Sequence, residues 1–309
     1  MSSQEPIIKV EHLVKRYGDF IAVKGVDFEV HKGEVFGLLG PNGAGKTTTL
    51  EMLVGLRKPD EGTAWIGEFD IKKHLEHVKE VIGVQLQSTT LFELLTVEEI
   101  LKMYASFYPK HISIPDLIED MILTDKRKSR IKSLSGGQKQ RLAIALALVH
   151  DPWIIFLDEP TTGLDPQARR TLWDIILNLK ERGKTVMLTT HYMDEAHVLC
   201  DRIAIMDQGQ LIALDTPENL VKNLQSDSAV EFRLTEDAPV LDLKEIEGVK
   251  QTGSHKDVQV LYTDNLQQTL TSLIQTASEK DLKLTDLQTR TATLEDVFIH
   301  MTGRSLREG

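Results

Sequence analysis

The sequence of 309 residues lacks the features of a membrane-spanning or disulfide-bonded protein. Its only cysteine, Cys200, cannot form a disulfide within the chain, a usage typical of a reducing compartment, and is expected to be a small buried residue. The longest apolar run, Leu142–Val149, is far shorter than the roughly 18 to 20 residues that span a bilayer. The first residues, MSSQEP, have neither a basic start nor an apolar core, so we expect no secretory signal.

Positive charge is also in deficit. The chain has 36 lysines and arginines against 47 aspartates and glutamates, a formal net charge of -11. Nucleic acids and anionic membrane surfaces attract basic patches, so this balance disfavours both as partners. We expect no nucleic-acid partner, and a membrane partner only through a specific docking surface. The length indicates one large domain and a smaller one.

A glycine-rich segment follows the short apolar run Val35–Leu39. Residues 40–47 read GPNGAGKT, and a helical pattern follows over Thr47–Leu56. Strand, glycine loop and helix form the context of the phosphate-loop pattern, GxxxxGK followed by Ser or Thr. Its glycines permit positive φ angles and let backbone N–H groups approach phosphates. The predicted site for a nucleoside triphosphate consists of Gly40, Pro41, Asn42, Gly43, Ala44, Gly45, Lys46, Thr47 and Thr48.

The side chains of this loop suggest their roles. The Lys46 ammonium is expected to meet the β- and γ-phosphates, and the Thr47 hydroxyl to bind Mg²⁺. Thr48 would add an oxygen or an N–H group nearby.

Two later apolar runs end in polar residues. Ile154–Leu157 is followed by Asp158 and Glu159, and Val186–Leu188 ends close to His191. Such runs suit buried parallel strands, and ligands collect at the carboxyl ends of these strands. Asp158 is predicted to be the carboxylate for Mg²⁺. Glu159 is predicted to accept or orient the proton of an attacking water.

The remaining sequence indicates an insertion and a C-terminal unit. Between about residues 88 and 150, Leu91–Leu95, Ile100–Tyr108 and Ile114–Ile122 have helical patterns, which predicts a helical subdomain inserted in the sheet domain. The main domain is predicted over residues 1–224 and a small α+β domain over 225–309.

The C-terminal unit is predicted to contain the strands Ala229–Leu234 and Val258–Tyr262 and two helices. The first helix is expected to carry on one face Leu266, Leu270, Leu273, Ile274 and Ala277. The last helix begins at Thr293, with Asp296 three residues on as a variant capping box. It is expected to bury Leu294, Val297, Phe298 and Met301.

A second anion site is suggested by Ser135-Gly136-Gly137, which precedes a helical pattern around Arg141–Val149. A hydroxyl, two glycines and a helix N-terminus together suit an anion. Because the chain already has a phosphate loop, two such sites indicate either two ligands or two chains that meet over one ligand.

Several motifs in order give the sequence a resemblance to a known family. LSGGQ at 134–138, GLDP at 163–166, Gln87 and His191, together with both nucleotide motifs, resemble an ATP-binding cassette (ABC) ATPase over about residues 5–225. The resemblance implies an α/β fold, with a P-loop NTPase (RecA-like) core, an antiparallel β subdomain and the helical insertion. It also implies that ATP and Mg²⁺ bind.

The resemblance implies that one chain holds half of a site. In that family two cassettes pair head to tail. Four residues of one chain would then face the γ-phosphate that Lys46 of the other chain holds. They are Ser135, Gly136, Gly137 and Gln138. Asp165 would lie at the dimer seam, although Asp165-Pro166 also fits a helix N-cap.

Three further roles follow from the resemblance. Gln87 would contact Mg²⁺ and the water, His191 would hold the γ-phosphate, and Tyr17 would stack on adenine. Gln87 is preferred to Gln85 because it is the last glutamine before the polar loop at 88–90.

The resemblance predicts an ATP-hydrolysing transporter subunit. The C-terminal unit and the segment TLEDVFIHMTGR at 293–304 resemble the drug- and antibiotic-exporter branch of bacterial ABC systems. Such a protein would be cytoplasmic, held on the inner face of the cell membrane by a separate transmembrane permease, and paired with a second ATPase chain. ATP-driven closure of the pair would energise transport. An ABC ATPase that acts on ribosomes or DNA is the alternative.

The permease is expected to dock around Ser88–Val97. The candidates for apolar contacts are Leu91, Phe92, Leu94 and Leu95. These four residues fit the core side of a helix equally well.

Overall fold

The computed structural model describes residues 5–87, 91–224, 228–234, 243–255, 257–280 and 282–302. The chain divides into two compact units, Met1–Ala213 and Leu214–Gly309. The predicted domain boundary after residue 224 stays a prediction. The helix Pro217–Lys222 precedes that boundary and belongs to the second unit. Within the described ranges, each helix is too short or too polar to cross a bilayer.

The elements follow in chain order. Through the first unit the chain forms β1 (Pro6–Tyr17), β2 (Phe20–His31), β3 (Val35–Leu39), α1 (Lys46–Leu53), β4 (Glu61–Ile66), β5 (Phe69–Asp70), α2 (Leu75–Val81), β6 (Ile82–Gln85), α3 (Val97–Ala105), α4 (Ile114–Asp120), α5 (Gly136–Leu148), β7 (Ile154–Asp158), α6 (Pro166–Glu181), β8 (Thr185–Thr190), α7 (Met193–Leu199), β9 (Arg202–Asp207) and β10 (Gln210–Asp215). The second unit continues with α8 (Pro217–Lys222), β11 (Ser228–Leu234), β12 (Val249–His255), β13 (Val258–Thr263), α9 (Leu266–Glu279), β14 (Leu284–Thr291) and α10 (Leu294–Thr302).

A six-stranded sheet forms the centre of the first unit, in the order β10-β9-β3-β8-β7-β6. β3 runs parallel to β8 and β9, and β7 runs parallel to β8 and β6. Every residue of β3, β7 and β8 is buried, as expected for strands covered on both faces. Cys200 is buried against Gly37 of β3. The α/β fold class is confirmed.

The register brings the strand ends together. Leu39 pairs with Thr190, and Asp158 pairs with Thr189. A separate antiparallel sheet of the same unit has the order β2-β1-β4-β5, and its β1–β2 hairpin ends with Tyr17 opposite Phe20.

The helix predicted over Leu91–Leu95 is absent, so that prediction is wrong. The described residues 91–95 form a turn and an extended stretch beside residues 129–132. The carbonyls of Glu93 and Leu95 accept hydrogen bonds from the amides of Lys132 and Ile131, at 3.1 and 2.9 Å. Because these backbone groups pair across the chain, they do not form the bonds of a helix. Thr96 then starts α3 with a capping box.

The second unit contains a four-stranded sheet in the order β12-β13-β11-β14. Its main apolar cluster consists of Val230, Phe232, Ile246, Leu261 and Leu273. The prediction that Met301 is buried is wrong, since Met301 is 43% exposed. The predicted apolar face of α9 is corrected at Ile274, which is 54% exposed. On α9 the buried position near Leu273 is Thr269, one turn earlier, whereas Ile274 lies about 100° around the helix from Leu273.

Asp296 forms the polar centre of the second unit. The carboxylate is fully buried and accepts hydrogen bonds from Arg290 Nη2 at 2.7 Å and Tyr262 Oη at 2.8 Å. It also accepts one from the Thr293 amide at 2.7 Å, which is the predicted capping contact. Burial alone would raise the pKa of Asp296, but these bonds and the charge of Arg290 outweigh it and lower the pKa below the ordinary value of 3.8.

We expect Asp296→Asn to destabilise the second unit by about 3 kcal/mol at neutral pH, the low end for removing one partner of a buried ion pair, because Arg290 loses Asp296 but keeps Glu231. The stabilisation by Asp296 is complete above the ordinary pKa of 3.8 and is lost as the pH falls through the lower folded-state pKa. The difference between wild type and variant should therefore be constant from neutral pH to near 4 and shrink below it.

Hydrogen exchange of the β11 and β13 amides measures this stability at each pH. Asp286→Asn is the matched control, since the Asp286 side chain is 65% exposed and its ion pair with Arg233 is long, at 3.5 Å. Equal protection in both variants would contradict the assignment of Asp296 as a stabilising centre.

Candidate functional site

The glycine-rich segment forms a loop between β3 and α1. Gly43 and Gly45 have φ angles of 78° and 106°, which β-carbon-bearing residues rarely adopt. A Cβ on Gly40 would lie 2.1 Å from the carbonyl oxygen of Met206, so only glycine fits there. Helix α1 begins at Lys46 without a side-chain cap, which leaves its first N–H groups facing outward for an anion.

Lys46 is buried at the base of this loop. Its Nζ donates to the carbonyls of Gly40 and Pro41 at 2.8 and 3.1 Å and lies 3.4 Å from Glu159 Oε1. Burial lowers the pKa of Lys46, and the negative charge of Glu159 opposes this effect. The ammonium thus lies between the loop and the end of β7.

Asp158 ends β7 inside the molecule, with 1% of its surface exposed. Its Oδ1 accepts hydrogen bonds from Thr189 Oγ1 at 2.6 Å and Thr47 Oγ1 at 3.1 Å. Burial raises the pKa of Asp158 despite these bonds. The arrangement groups oxygen atoms from the start of α1 and the ends of β7 and β8.

Glu159 has an unusual backbone, with a φ angle of 46°. Such a conformation is strained for a residue with a Cβ and persists where surrounding contacts enforce it. Here the Glu159 amide donates to Thr189 Oγ1 at 3.0 Å. The side chain is directed into a cleft beside Lys46, where its Oε2 accepts from Thr162 Oγ1 at 3.2 Å.

Two predicted residues approach the same oxygen of Glu159. His191 Nδ1 lies 3.2 Å from Oε2, without the alignment of a hydrogen bond, and Gln87 Nε2 lies 3.5 Å from it. Gln85 is buried in β6 and donates to the Leu86 carbonyl instead. Burial alone would raise the pKa of Glu159, but the charges of Lys46 and His191 outweigh it and the pKa is lowered. Glu159 is therefore ionised at neutral pH.

These groups line one cleft of about 630 Å³. The predicted residues that line it are Tyr17, Asn42, Gly43, Gly45, Lys46, Thr47, Thr48, Gln87, Glu159 and His191. Its lining does not include the predicted residues Gly40, Pro41, Ala44 and Asp158, nor any residue of 135–138. Gly40, Pro41 and Asp158 bond to Lys46 or Thr47 of the lining, and thus support the cleft.

Three lining residues were missed by the sequence analysis, namely Phe20, Ala22 and Thr162. Phe20 is 63% exposed and pairs with Tyr17 across the hairpin, so an aromatic residue just after the Gly18-Asp19 turn was the available signal. Thr162 lies three residues after Glu159, where the sequence offered no distinguishing pattern.

Comparison with curated proteins establishes the family. The chain is 35% identical to the linearmycin resistance ATP-binding protein LnrL of Bacillus subtilis (strain 168), over 98% of this chain and 100% of that protein. It is 38% identical to the Nod factor export ATP-binding protein I of Ralstonia nicotianae (strain ATCC BAA-1114 / GMI1000), over 98% of this chain and 96% of that protein. This chain belongs to the ABC transporter ATP-binding proteins.

Family models and solved structures agree with this family assignment. A model described as ABC transporter matches residues 23–162 of this ABC ATPase, and one for the C-terminal domain of ABC transporter domain-containing proteins matches residues 228–293. An ATP-binding cassette solved in its ADP conformation is 29% identical, with a TM-score of 0.63 over 72% of this chain and 95% of that one. A dimeric cassette bound to ADP and phosphate is 28% identical, with a TM-score of 0.61 over 68% of this chain and 98% of that one. The protein is an ATP-hydrolysing transporter subunit.

In this ABC ATPase the segment Ser135–Gln138 starts α5 with a complete capping box. Ser135 Oγ accepts from the Gln138 amide at 3.3 Å, and Gln138 Oε1 accepts from the Ser135 amide at 2.9 Å. Asp165 caps α6 by accepting from the Ala168 amide at 2.9 Å, so the predicted N-cap is confirmed. Both segments begin helices of the same unit.

We expect Tyr17→Ala to weaken ATP binding by about 5- to 100-fold, the range for loss of one aromatic stacked on a base. Phe20→Ala should act in the same direction but less, because Phe20 is more exposed than Tyr17, at 63% against 41%. Calorimetric titration with ATP measures both effects. Phe107→Ala is the control, since Phe107 is 69% exposed and outside the cleft lining. Unchanged affinity in Tyr17→Ala would contradict adenine stacking at this hairpin.

Proposed function

We propose that this ATPase energises export through a separate membrane-spanning permease, as one of two ATPase chains that close over ATP. The two relatives named above support export, since one is a Nod factor export protein and the other a linearmycin resistance protein. Both span nearly the whole chain, including the C-terminal unit. These transport relatives favour transport over the alternative function on ribosomes or DNA.

One observation carries the two-chain part of the proposal. Ser135–Gln138 has the hydroxyl, glycines and helix N-terminus of an anion site, yet it does not line the cleft that contains Lys46 and Glu159. The dimeric cassette bound to ADP and phosphate supports a pair of chains. In the proposed dimer, residues 135–138 of each chain complete the cleft of the other, with Asp165 at the seam.

The residues around Asp158 suit Mg²⁺. Thr47, Asp158 and Gln87 offer hard oxygen donors, and Mg²⁺ is commonly held by few protein ligands together with phosphates. When bound, the ion would neutralise negative charge on the phosphates.

Within this proposal, Glu159 acts on the attacking water. It is ionised, it lies in the cleft, and its carboxylate is held by Lys46, Thr162 and Gln87. An ionised carboxylate near the γ-phosphate can accept or orient a proton of the water. Lys46 and His191 would hold the γ-phosphate. Tyr17 and Phe20 would contact the adenine ring.

The permease is proposed to dock on residues 91–97, at the cytoplasmic face of the membrane. In this segment Phe92 and Leu94 are 58% and 73% exposed, and Leu91 and Leu95 are half-buried. Exposed apolar side chains on a folded turn support docking rather than a helix core. The remaining part of the expected surface, Ser88–Thr90, lies outside the described residues.

We expect Glu159→Gln to lower ATP hydrolysis by about 100-fold or more, the contribution of a positioned general base, while ATP still binds. A trapped dimer should accumulate with ATP and be detected by light scattering after chromatography. Glu119→Gln, an exposed glutamate on α4, is the control and should hydrolyse ATP like wild type. Wild-type hydrolysis in Glu159→Gln would assign the role to another residue.

A mixing experiment tests whether the site is shared between chains. Gly136→Asp should fold normally, because a Cβ at Gly136 meets nothing within 4 Å, but its charge would repel phosphates held by the partner. Lys46→Ala and Gly136→Asp should each be inactive alone. Mixed, they should recover roughly a quarter of wild-type hydrolysis, because half of random dimers are mixed and each has one intact site.

The control mixture pairs Lys46→Ala with Glu159→Gln. Both residues belong to the same half of the site, so no mixed dimer contains an intact site and no activity should return. Failure of the first mixture to recover hydrolysis would contradict a site shared between chains.

A further inference from the structure

Several buried polar atoms without aligned hydrogen-bond partners lie in the loop after β7, on α6, just after β8 and on α7. Eight such side-chain atoms occur among the described residues, and four of them belong to Thr161, Arg169, His191 and Glu195. Buried polar groups are nearly always paired in native proteins, so their concentration at one place requires an explanation. We define the Glu195 cluster as Thr161, Arg169, Trp173, Thr190 and Glu195.

Glu195 lies at the centre of this cluster, in the first turn of α7. Its side chain is fully buried, and its Oε1 accepts a hydrogen bond from Trp173 Nε1 of α6 at 3.2 Å. Burial raises the pKa of Glu195 above its ordinary value. The hydroxyls of Thr190 and Thr161 face the carboxylate and oppose this rise without reversing it. The carboxylate therefore meets α6, the end of β8 and the loop after β7. A buried carboxylate is costly unless such contacts compensate it.

The cluster is linked to the reactive groups by very short stretches of chain. Thr161 follows Glu159 by two residues, and Thr190 directly precedes His191. The carbonyl of Thr190 accepts a hydrogen bond from the Gly40 amide at 3.3 Å, which joins the phosphate loop to the same point. A shift of Glu195 would thus move Glu159 and His191 relative to the phosphate loop.

Arg169 of the cluster lies in the first turn of α6, and the start of α6 contacts the start of α5. Asp165 and Ser135 are the N-caps of these two helices. The Arg169 guanidinium lies 4.5 Å over the ring of Tyr192, and the Arg169 amide donates to the Asp165 carbonyl at 3.0 Å. A Cβ on Gly137 would lie only 2.8 Å from Ala168 Cβ, so the starts of α5 and α6 are in close contact. Packed helices of this kind move together.

We propose that Glu195 is a positioning residue for ATP hydrolysis. It holds the loop after β7 and the end of β8 against α6, so that Glu159 and His191 meet the γ-phosphate at the same time. The proposal rests on the roles of Glu159 and His191 stated under the proposed function. Glu195 does not line the cleft and is linked to these residues through Thr161 and Thr190, so it acts through them and leaves ATP binding unchanged.

Steady-state hydrolysis and ATP titration of three variants test this role. Glu195→Ala should lower kcat by about 10- to 100-fold, the effect of misplacing reacting groups by about 1 Å, with the ATP Kd within about twofold of wild type. Glu195→Gln should retain most of kcat, because its amide oxygen still accepts from Trp173. Trp173→Phe keeps a smaller aromatic ring, removes the N–H donor to Glu195 and should lower kcat moderately. Glu181→Gln, an exposed glutamate on α6, is the control.

A double-mutant cycle separates positioning from general destabilisation. If Glu195 acts through Glu159 and His191, adding Glu195→Ala to Glu159→Gln should lower the residual rate by a clearly smaller factor than Glu195→Ala lowers the wild-type rate, because one of the two groups it positions is already gone. The proposal would be overturned if the double variant lost the product of the two single rate losses, if kcat were unchanged in Glu195→Ala, or if that variant lost as much ATP affinity as kcat. Thermal unfolding of each variant shows that the losses occur in folded protein. Wild-type activity in Glu159→Gln alone would instead contradict the proposed function.

Discussion

The parallel register of β3, β7 and β8 is the constraint on which the site depends. It places Leu39, Asp158 and Thr190 at one edge of the sheet, so that the phosphate loop, the carboxylates and His191 leave the sheet side by side. The ion pair of Lys46 with Glu159, at 3.4 Å, is possible only because residues 113 positions apart in sequence share this edge. A shift of one residue in a single strand would turn these side chains away from the cleft.

Two of the buried polar clusters among the described residues, around Asp296 and around Glu195, differ in how fully their hydrogen bonds are satisfied. Around Asp296 each partner is paired, with Arg290, Tyr262 and Thr293 donating to one carboxylate. Around Glu195 several buried atoms lack aligned partners. A fully paired network makes a core rigid and specific, whereas the rearrangement of an incompletely paired network breaks fewer hydrogen bonds. The paired cluster fits a structural role, and the incompletely paired cluster includes Thr161 and Thr190, which neighbour in sequence the residues proposed to act on ATP.

The relation between residues 135–138 and the cleft follows from helix packing. Ser135 caps its own helix, and the start of α5 contacts the start of α6 through Gly137 and Ala168. Gly137 lets the two helices approach closely, because a Cβ there would meet Ala168 at 2.8 Å. Residues 135–138, which are proposed to bind an anion, do not line the cleft formed with the phosphate loop, as two chains sharing each ATP would require.

The sequence by itself determined the α/β class, the phosphate loop and the family, because these depend on local patterns: continuous apolar strands, glycines at fixed spacing, and motifs in order. It also located Asp158, Glu159 and His191 at strand ends. The tertiary structure alone decided that residues 91–95 pair with 129–132 instead of forming a helix, that Phe20 and Thr162 line the cleft, and that Thr161 and Thr190 face the buried Glu195. Each of these depends on contacts between residues distant in sequence, whose energies no local pattern contains.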